Sequence, residues 1–197
     1  IVSTHPTSGN YRDLDYFRSI ANEDLLKLNQ LAGVKSVSIT NQLPVKSRGM
    51  MSNMHDIDNP EQEKTDKYLR DIKYILAEEH LAQAMGFTLL EGRFLNKSDE
   101  LDFDSEAKNN IVITESLKNA LYGDKSALGH ETNNGIIVGV IKDIMLDPTL
   151  PRDKQYGLFV NTMMKYIFIG RYYVLNVEPG QMDNVRSQVS ETILAVQ

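Results

Sequence analysis

Two stretches near opposite ends of the chain repeat one apolar spacing, and this repetition limits the fold more than any other feature. Leu14, Phe17, Ala21, Leu25 and Leu28 are separated by steps of three, four, four and three, and Met182, Val185, Val189, Ile193 and Val196 by the same steps. That spacing puts one apolar stripe on an α-helix, so each helix must bury a single face. A strand candidate adjoins each one. Val34 to Thr40 alternates apolar and polar residues after the first helix, with Gly33 placed as a left-handed cap. Tyr172 to Val177 leads into the second helix through Pro179-Gly180. With Ile1 to Thr4 as a short strand, the two ends predict a split βαβ arrangement whose helices cover one face of a shared sheet. A closing strand after the second helix is expected and is not found before Gln197.

The middle of the chain has a different texture. Residues 45 to 67 are polar, interrupted by Met50, Met51 and Met54. Strands are expected at Tyr68 to Leu76, Ile111 to Ile113, Ile136 to Ile141, Gly157 to Val160 and Tyr166 to Ile169. The strand at Ile136 to Ile141 is apolar on both faces and therefore central. Short helices are expected from Glu78 to Met85, stopped by Gly86, and from Glu115 to Tyr122, capped by Thr114 and ended by Gly123. Residues 96 to 110 read as an exposed acidic loop. The resulting fold class is α+β, with residues 1–44 plus 166–197 forming the split βαβ subdomain and 45–165 an inserted small α/β subdomain.

Composition narrows the function classes. A net charge of -6 leaves no excess of Lys and Arg to neutralise phosphates, which excludes a general nucleic-acid binder. No apolar run approaches the roughly 20 residues that span a bilayer. The absence of cysteine removes disulfides, thiolate metal sites and a Cys nucleophile. The chain opens on Ile1 rather than an initiator Met, so it is expected to be a piece of a longer polypeptide.

Few residues invite chemistry. His5, His55, His80 and His130 lie in separate segments without metal-ligand spacing, and Glu78-Glu79-His80 points in different directions on a helix. Asp99, Glu100, Asp102, Asp104 and Glu106 alternate like a calcium loop, but the Gly and distal Glu that such a loop needs are replaced by Ala107 and Ile113. A solvated loop fits better. There is no Gly-x-Ser-x-Gly elbow and no phosphate loop, and Gly139 marks a bulge or close backbone contact within a strand. Arg93 is placed to pair with a carboxylate across a turn. Met50, Met51 and Met54 suit an adaptable contact surface, with copper(I) binding as the less favoured reading. Met163, Met164, Tyr166 and Phe168 form a second apolar group better suited to core packing. No catalytic, cofactor or metal site is expected.

The stretch Gly86-Phe87-Thr88-Leu89-Leu90-Glu91-Gly92-Arg93-Phe94 reads as a helix stop, a brief strand and a tight turn. Four pieces in chain order, Leu31 to Val37 with Leu43-Pro44, His80 to Gly86 leading through Leu90 to Phe94, Ile111 to Leu117 with Leu121 to Gly123 and Leu128-Gly129, and Ile137 to Asp143, resemble the extracytoplasmic (periplasmic core) domain of MacB-like and FtsX-like ABC transporter permeases. The chain departs from that pattern at Ala32, where Pro is common, and at Thr114, where Asn is common. The resemblance implies a porter-like, ferredoxin-like outer subdomain and structural roles for Gly86, Gly92, Arg93, Phe94, Gly139 and Asp143. It implies a non-catalytic, periplasmic module of an inner-membrane protein that transmits ATP-driven motion. Its partners would be a cognate ABC ATPase, a permease dimer mate and a periplasmic adaptor, and its cargo class an antimicrobial peptide, macrolide or lipoprotein, as in efflux. A periplasmic binding module for a peptide or small ligand is the alternative; a stand-alone enzyme is the least favoured reading.

Overall fold

The fold follows from where each helix buries its stripe. In the computed structural model, residues 1–4, 13–45, 49–59, 69–102, 105–162 and 171–194 are described. The expected strand at 166–169 and the group at Met163, Met164, Tyr166 and Phe168 lie outside them, as do His5, Asp104 and Val196. The first helix, α1 (Leu14–Asn29), starts at Asp13, whose carboxylate accepts from the Tyr16 N–H at 2.9 Å. It ends at a Gln30 cap rather than at Gly33. Gly33 instead turns the chain into the strand that begins at Val34, and its carbonyl accepts from the Glu178 N–H at 2.8 Å. Phe17, Ala21 and Leu28 of α1 pack with Val185, Val189 and Ile193 of α4 (Met182–Leu194). Beneath both helices lie Val37 and Ile39 of β2 (Val34–Thr40) and Tyr173 of β10 (Arg171–Val177).

β1 (Val2–Thr4) and β2 both pair antiparallel with β10, in the order β1-β10-β2. The first two strands are therefore parallel with the last wedged between them, which is a split βαβ unit. Three strands make up this sheet among the described residues. Sequence alternation gave β2 one buried face; it has two. Ser36, Ser38 and Thr40 are also buried, beneath the short helix α2 (Leu81–Met85), which packs on β2 and β10. Small hydroxyl residues permit that close approach, but nothing in a five-residue helix reveals its target to sequence periodicity.

The second sheet contains β3 (Met51–Met54), β4 (Leu69–Leu76), β5 (Leu89–Gly92), β6 (Asn110–Thr114), β7 (Glu131–Thr132), β8 (Gly135–Ile141) and β9 (Gly157–Val160). Its order is β3-β4-β9-β6-β8-β5, and β7 takes the other half of the β8 edge. β8 is interior, as its two apolar faces require. The sheet is curled: a bridge from Asp56 to Thr132 brings the chain after β3 round to β7. Amides close that seam, with Asn134 Nδ2 donating to the Asn53 carbonyl at 2.6 Å and the Ser52 hydroxyl to Asn134 Oδ1 at 2.8 Å. On one face Ile111, Ile113 and Met54 pack with Leu117 and Leu121 of α3 (Glu115–Tyr122). On the other, Val112, Ile75 and Phe159 pack with Leu81 of α2 and Val174 of β10. The second core thus reaches into the small sheet.

One crossing between the sheets is tightly held. Thr40 bridges to Ala77, Asn41 Oδ1 accepts from the Leu76 N–H at 2.9 Å, and Gln42 Nε2 donates to the Tyr74 carbonyl at 2.8 Å. The side chains that leave β2 therefore continue the edge of β4.

Candidate functional site

The Gly86–Phe94 stretch packs Phe87, Leu89 and Phe94 against the core that holds Val112, Phe159, Leu81 of α2 and Val174 of β10, and its backbone dictates its residues. Gly86 closes α2 in the left-handed region, with φ of 68°. Glu91 of β5 holds α3 and the loop after it through Lys118 Nζ at 3.9 Å and the Ser126 hydroxyl at 2.7 Å. Gly92 lies opposite Gly139 across the β5–β8 pair. A Cβ on Gly92 (φ +71°) would lie 2.2 Å from the Val138 carbonyl oxygen, and one on Gly139 would lie 2.1 Å from that of Arg93. Neither approach leaves room for a side chain. The β6–β8 register shifts beside Gly139, so the bulge and the close contact occur together.

Arg93 then turns back on Asp99. Its Nη1 donates to Asp99 Oδ2 at 2.6 Å and its Nη2 to Oδ1 at 2.8 Å, a two-pronged pair. The Asn96 N–H and Asn110 Nδ2 add donors at 2.8 and 2.7 Å. Asp99 sits in a short 3-10 turn (Lys97–Asp99) that carries a complete capping box with Asn96. Burial alone would raise its pKa; the Arg93, Asn96 and Asn110 donors outweigh that and hold it below the usual carboxylate range. The same hydrogen bond pushes the Arg93 guanidinium up. This corrects the expectation of a solvated acidic loop at its first members. The Asp99 side chain is 1% exposed, while the Glu100 side chain, 8% exposed, binds Lys97 at 2.8 Å and approaches Arg18 at 3.8 Å. The signal was present as Asn96 and Asp99 three residues apart, the spacing of a capping box. Phe94 packs partly buried in the core shared with α2.

Asp143 performs the task assigned to Thr114. Its carboxylate accepts from the Ser116 N–H at 2.8 Å and from the Ser116 hydroxyl, capping α3 from the far end of β8. The Thr114 hydroxyl is taken up by the Gln155 carbonyl and the Gly157 N–H, at 2.8 and 3.0 Å, so it makes no cap.

The three methionines do not form one surface. Met54 is fully buried in the curled-sheet core, Met51 is 46% exposed on the edge strand, and the Met50 sulfur accepts from Asn41 Nδ2 at 3.2 Å. Strand geometry separates them, because residues of one strand cannot all face solvent when the sheet curls over a core. Sequence distance also concealed a pairing of His130 Nδ1 with buried Asp56 Oδ2 at 2.9 Å, beside the Tyr122 ring. Burial, and then the Asp56 charge, push the Tyr122 hydroxyl up. Among the described residues no group of three or more His, Asp or Glu side chains converges as metal ligands. None of their helices is long and apolar enough to cross a membrane.

The same two-sheet arrangement occurs in solved structures. The periplasmic region of MacB from Actinobacillus actinomycetemcomitans superposes with a TM-score of 0.59 at 16% identity, over 88% of this chain and 72% of that one. The extracellular domain of the noncanonic ABC-type transporter YknZ from Gram-positive bacteria gives 0.56 at 15% identity, over 88% and 81%. The chain has their fold. A domain of a Porphyromonas gingivalis protein named as a permease gives 0.55 at 18% identity, over 87% and 75%. No family model and no curated protein sequence matches the chain. At these identities the likeness is one of architecture, which agrees with the α+β, split βαβ reading of the sequence.

Proposed function

We propose that this chain is an extracytoplasmic domain of an ABC-permease-type protein and that it relays motion rather than catalysing a reaction. The observation that carries the reading is the fold, shared across nearly nine-tenths of the chain with a periplasmic region of MacB, an extracellular domain of an ABC-type transporter and a domain of a protein named as a permease. The Thr40–Ala77 bridge, the Asn41 and Gln42 side chains and α2 support it, because they join the sheets at a joint able to transmit force. In this reading residues 1–44 with 166–197 and residues 45–165 are the two halves of one rigid lever. A cognate ATPase and a dimer mate act through membrane segments, and an adaptor or cargo of the peptide, macrolide or lipoprotein class docks outside the cytoplasm. Gly86, Gly92, Arg93, Phe94, Gly139 and Asp143 are scaffold. The test uses the absence of cysteine in these residues. With exposed Lys125 changed to Cys in a parent protein whose cysteines outside these residues have been replaced, a membrane-impermeant maleimide should label intact spheroplasts. Labelling that appears only after lysis would contradict an extracytoplasmic location.

A further inference from the structure

The hairpin from β7 to β8 turns at Asn133 and Asn134, and the fold dictates the last two residues of that turn. Gly135 has a φ of +139°, and a Cβ there would lie 2.3 Å from the Asn109 carbonyl oxygen, so no side chain fits. Asn134 is held from across the seam of the curled sheet. Its Nδ2 donates to the Asn53 carbonyl at 2.6 Å, and its Oδ1 accepts from the Ser52 hydroxyl at 2.8 Å. Its own N–H donates to the Thr132 hydroxyl at 3.2 Å. Beside it the Ile57 N–H donates to the Glu131 carbonyl at 3.0 Å, and the His55 N–H to Asn133 Oδ1 at 3.0 Å. The seam uses a side-chain amide and the strand entry requires a glycine. Together they create an Asn-Gly pair, the only one in the chain.

We propose that Asn134 is a self-modification site whose reactivity is gated by the seam. In an Asn-Gly pair no side chain shields the glycine nitrogen, which is then open to attack the asparagine Cγ. The Gly135 N–H gives up its proton, the new N–Cγ bond closes a succinimide ring, and Nδ2 leaves as ammonia. Water then opens the ring at either carbonyl and leaves aspartate or isoaspartate at position 134. Nothing is oxidised or reduced, and water is the sole co-reactant. While the seam is closed, Ser52 and Asn53 hold both ends of the amide, and Gly135 stays paired with Thr132. The Cγ is then not free to swing onto the Gly135 nitrogen, so reaction requires the seam to open first. Either product is a carboxylate with no hydrogen to give the Asn53 carbonyl, so two acceptors face each other. Isoaspartate also adds a carbon to the backbone of a tight turn. A seam that has opened and reacted therefore does not close again. The inference stands without the transporter reading.

The test holds the 197-residue chain at mildly alkaline pH and follows the peptide containing Asn134 by mass spectrometry. Isoaspartate is counted separately by enzymatic methylation. The folded chain should react at least about tenfold more slowly than the same chain unfolded in urea, because only the opened fraction is competent. Ser52→Ala removes one tie on the amide and leaves the turn unaltered, with circular dichroism verifying that the fold is kept. It should speed the folded reaction about fivefold, the equilibrium weight of one ordinary hydrogen bond. Asn134→Asp carries a product without the reaction, and its Ile57 amide should exchange with deuterium about fivefold faster than in the wild type. Equal rates in folded and unfolded chains, or in wild type and Ser52→Ala, would overturn the gating. An unreactive unfolded chain would overturn the site itself, and unchanged Ile57 exchange in Asn134→Asp would overturn the one-way opening.

Discussion

Two of the buried aspartates, Asp24 under the small sheet's helices and Asp99 beside the curled sheet, are treated in opposite ways. Asp99, beneath the turn after β5, receives four hydrogen bonds, two of them from a guanidinium. Asp24, on the buried face of α1, receives the Tyr173 hydroxyl on one oxygen, and its other oxygen has no partner among the described residues. Arg171 offsets only part of the cost, since its guanidinium lies over the Phe17 ring at 5.7 Å and donates to the Phe17 carbonyl. Burial therefore raises the Asp24 pKa, while the donor set lowers that of Asp99. The lesson is that the turn at Gly92–Asp99 is built around a fixed charge, whereas the small sheet tolerates an unfavourable one. The curled-sheet side holds the specific geometry, and the small sheet relies on helix packing.

The largest effect should break that geometry outright. Gly92→Val puts a branched side chain into a carbonyl oxygen at a positive φ, and a loss of at least about 3 kcal/mol is expected in urea unfolding. An unchanged melting temperature would remove Gly92 from the scaffold. Met54→Ala should cost about 2–4 kcal/mol by opening a cavity, whereas Met51→Ala on the exposed edge should stay within about 0.5 kcal/mol. Equal effects would mean that the curled core is not packed as described. Arg93→Ala strands the Asp99 carboxylate; because the arginine side chain is 44% exposed, the expected loss is about 2 kcal/mol, below that of a fully buried pair.

The smallest effect is the most diagnostic for the comparison, because the two aspartates carry opposite pH signs. A depressed pKa makes the Asp99 contribution complete above its ordinary value of 3.8 and lost as pH falls through the lowered value. A raised pKa makes the Asp24 contribution complete below 3.8 and lost as pH rises through the elevated value. Asp24→Asn should therefore flatten the decline in stability on the neutral side of 3.8 and add up to about 1 kcal/mol at neutral pH. Unfolding curves from pH 3 to 8 measure it. A steeper decline in the variant would show that Asp24 is stabilised as a charge.

Much of the fold was legible where one period governed one element. The stripes of α1 and α4 and the strands beside them gave the split βαβ unit because each helix buries a single face. Legibility failed where a residue's partner lies far along the chain. Asp143 caps α3 from 27 residues away, and Asp56 meets His130 across 74, so neither is visible as local spacing. The second buried face of β2 was hidden for a related reason, since α2 is too short to display a stripe. In the candidate site, the glycines were recognisable as a string, but the close approach of Gly92 and Gly139 emerges only when β5 is laid on β8.

Under the proposed function, the joint at Thr40, Asn41, Gln42 and α2 makes the two sheets one transmitting body. These 197 residues hold no cysteine, so once any cysteines elsewhere in the parent protein are replaced, spin labels at Asp15→Cys on α1 and Lys125→Cys beyond α3 report one distance across that joint by pulsed electron resonance. In the parent protein in membranes, that distance should stay a single population with and without a trapped nucleotide state of the ATPase. Two populations exchanging with nucleotide would contradict a rigid relay and place the moving hinge at the joint itself.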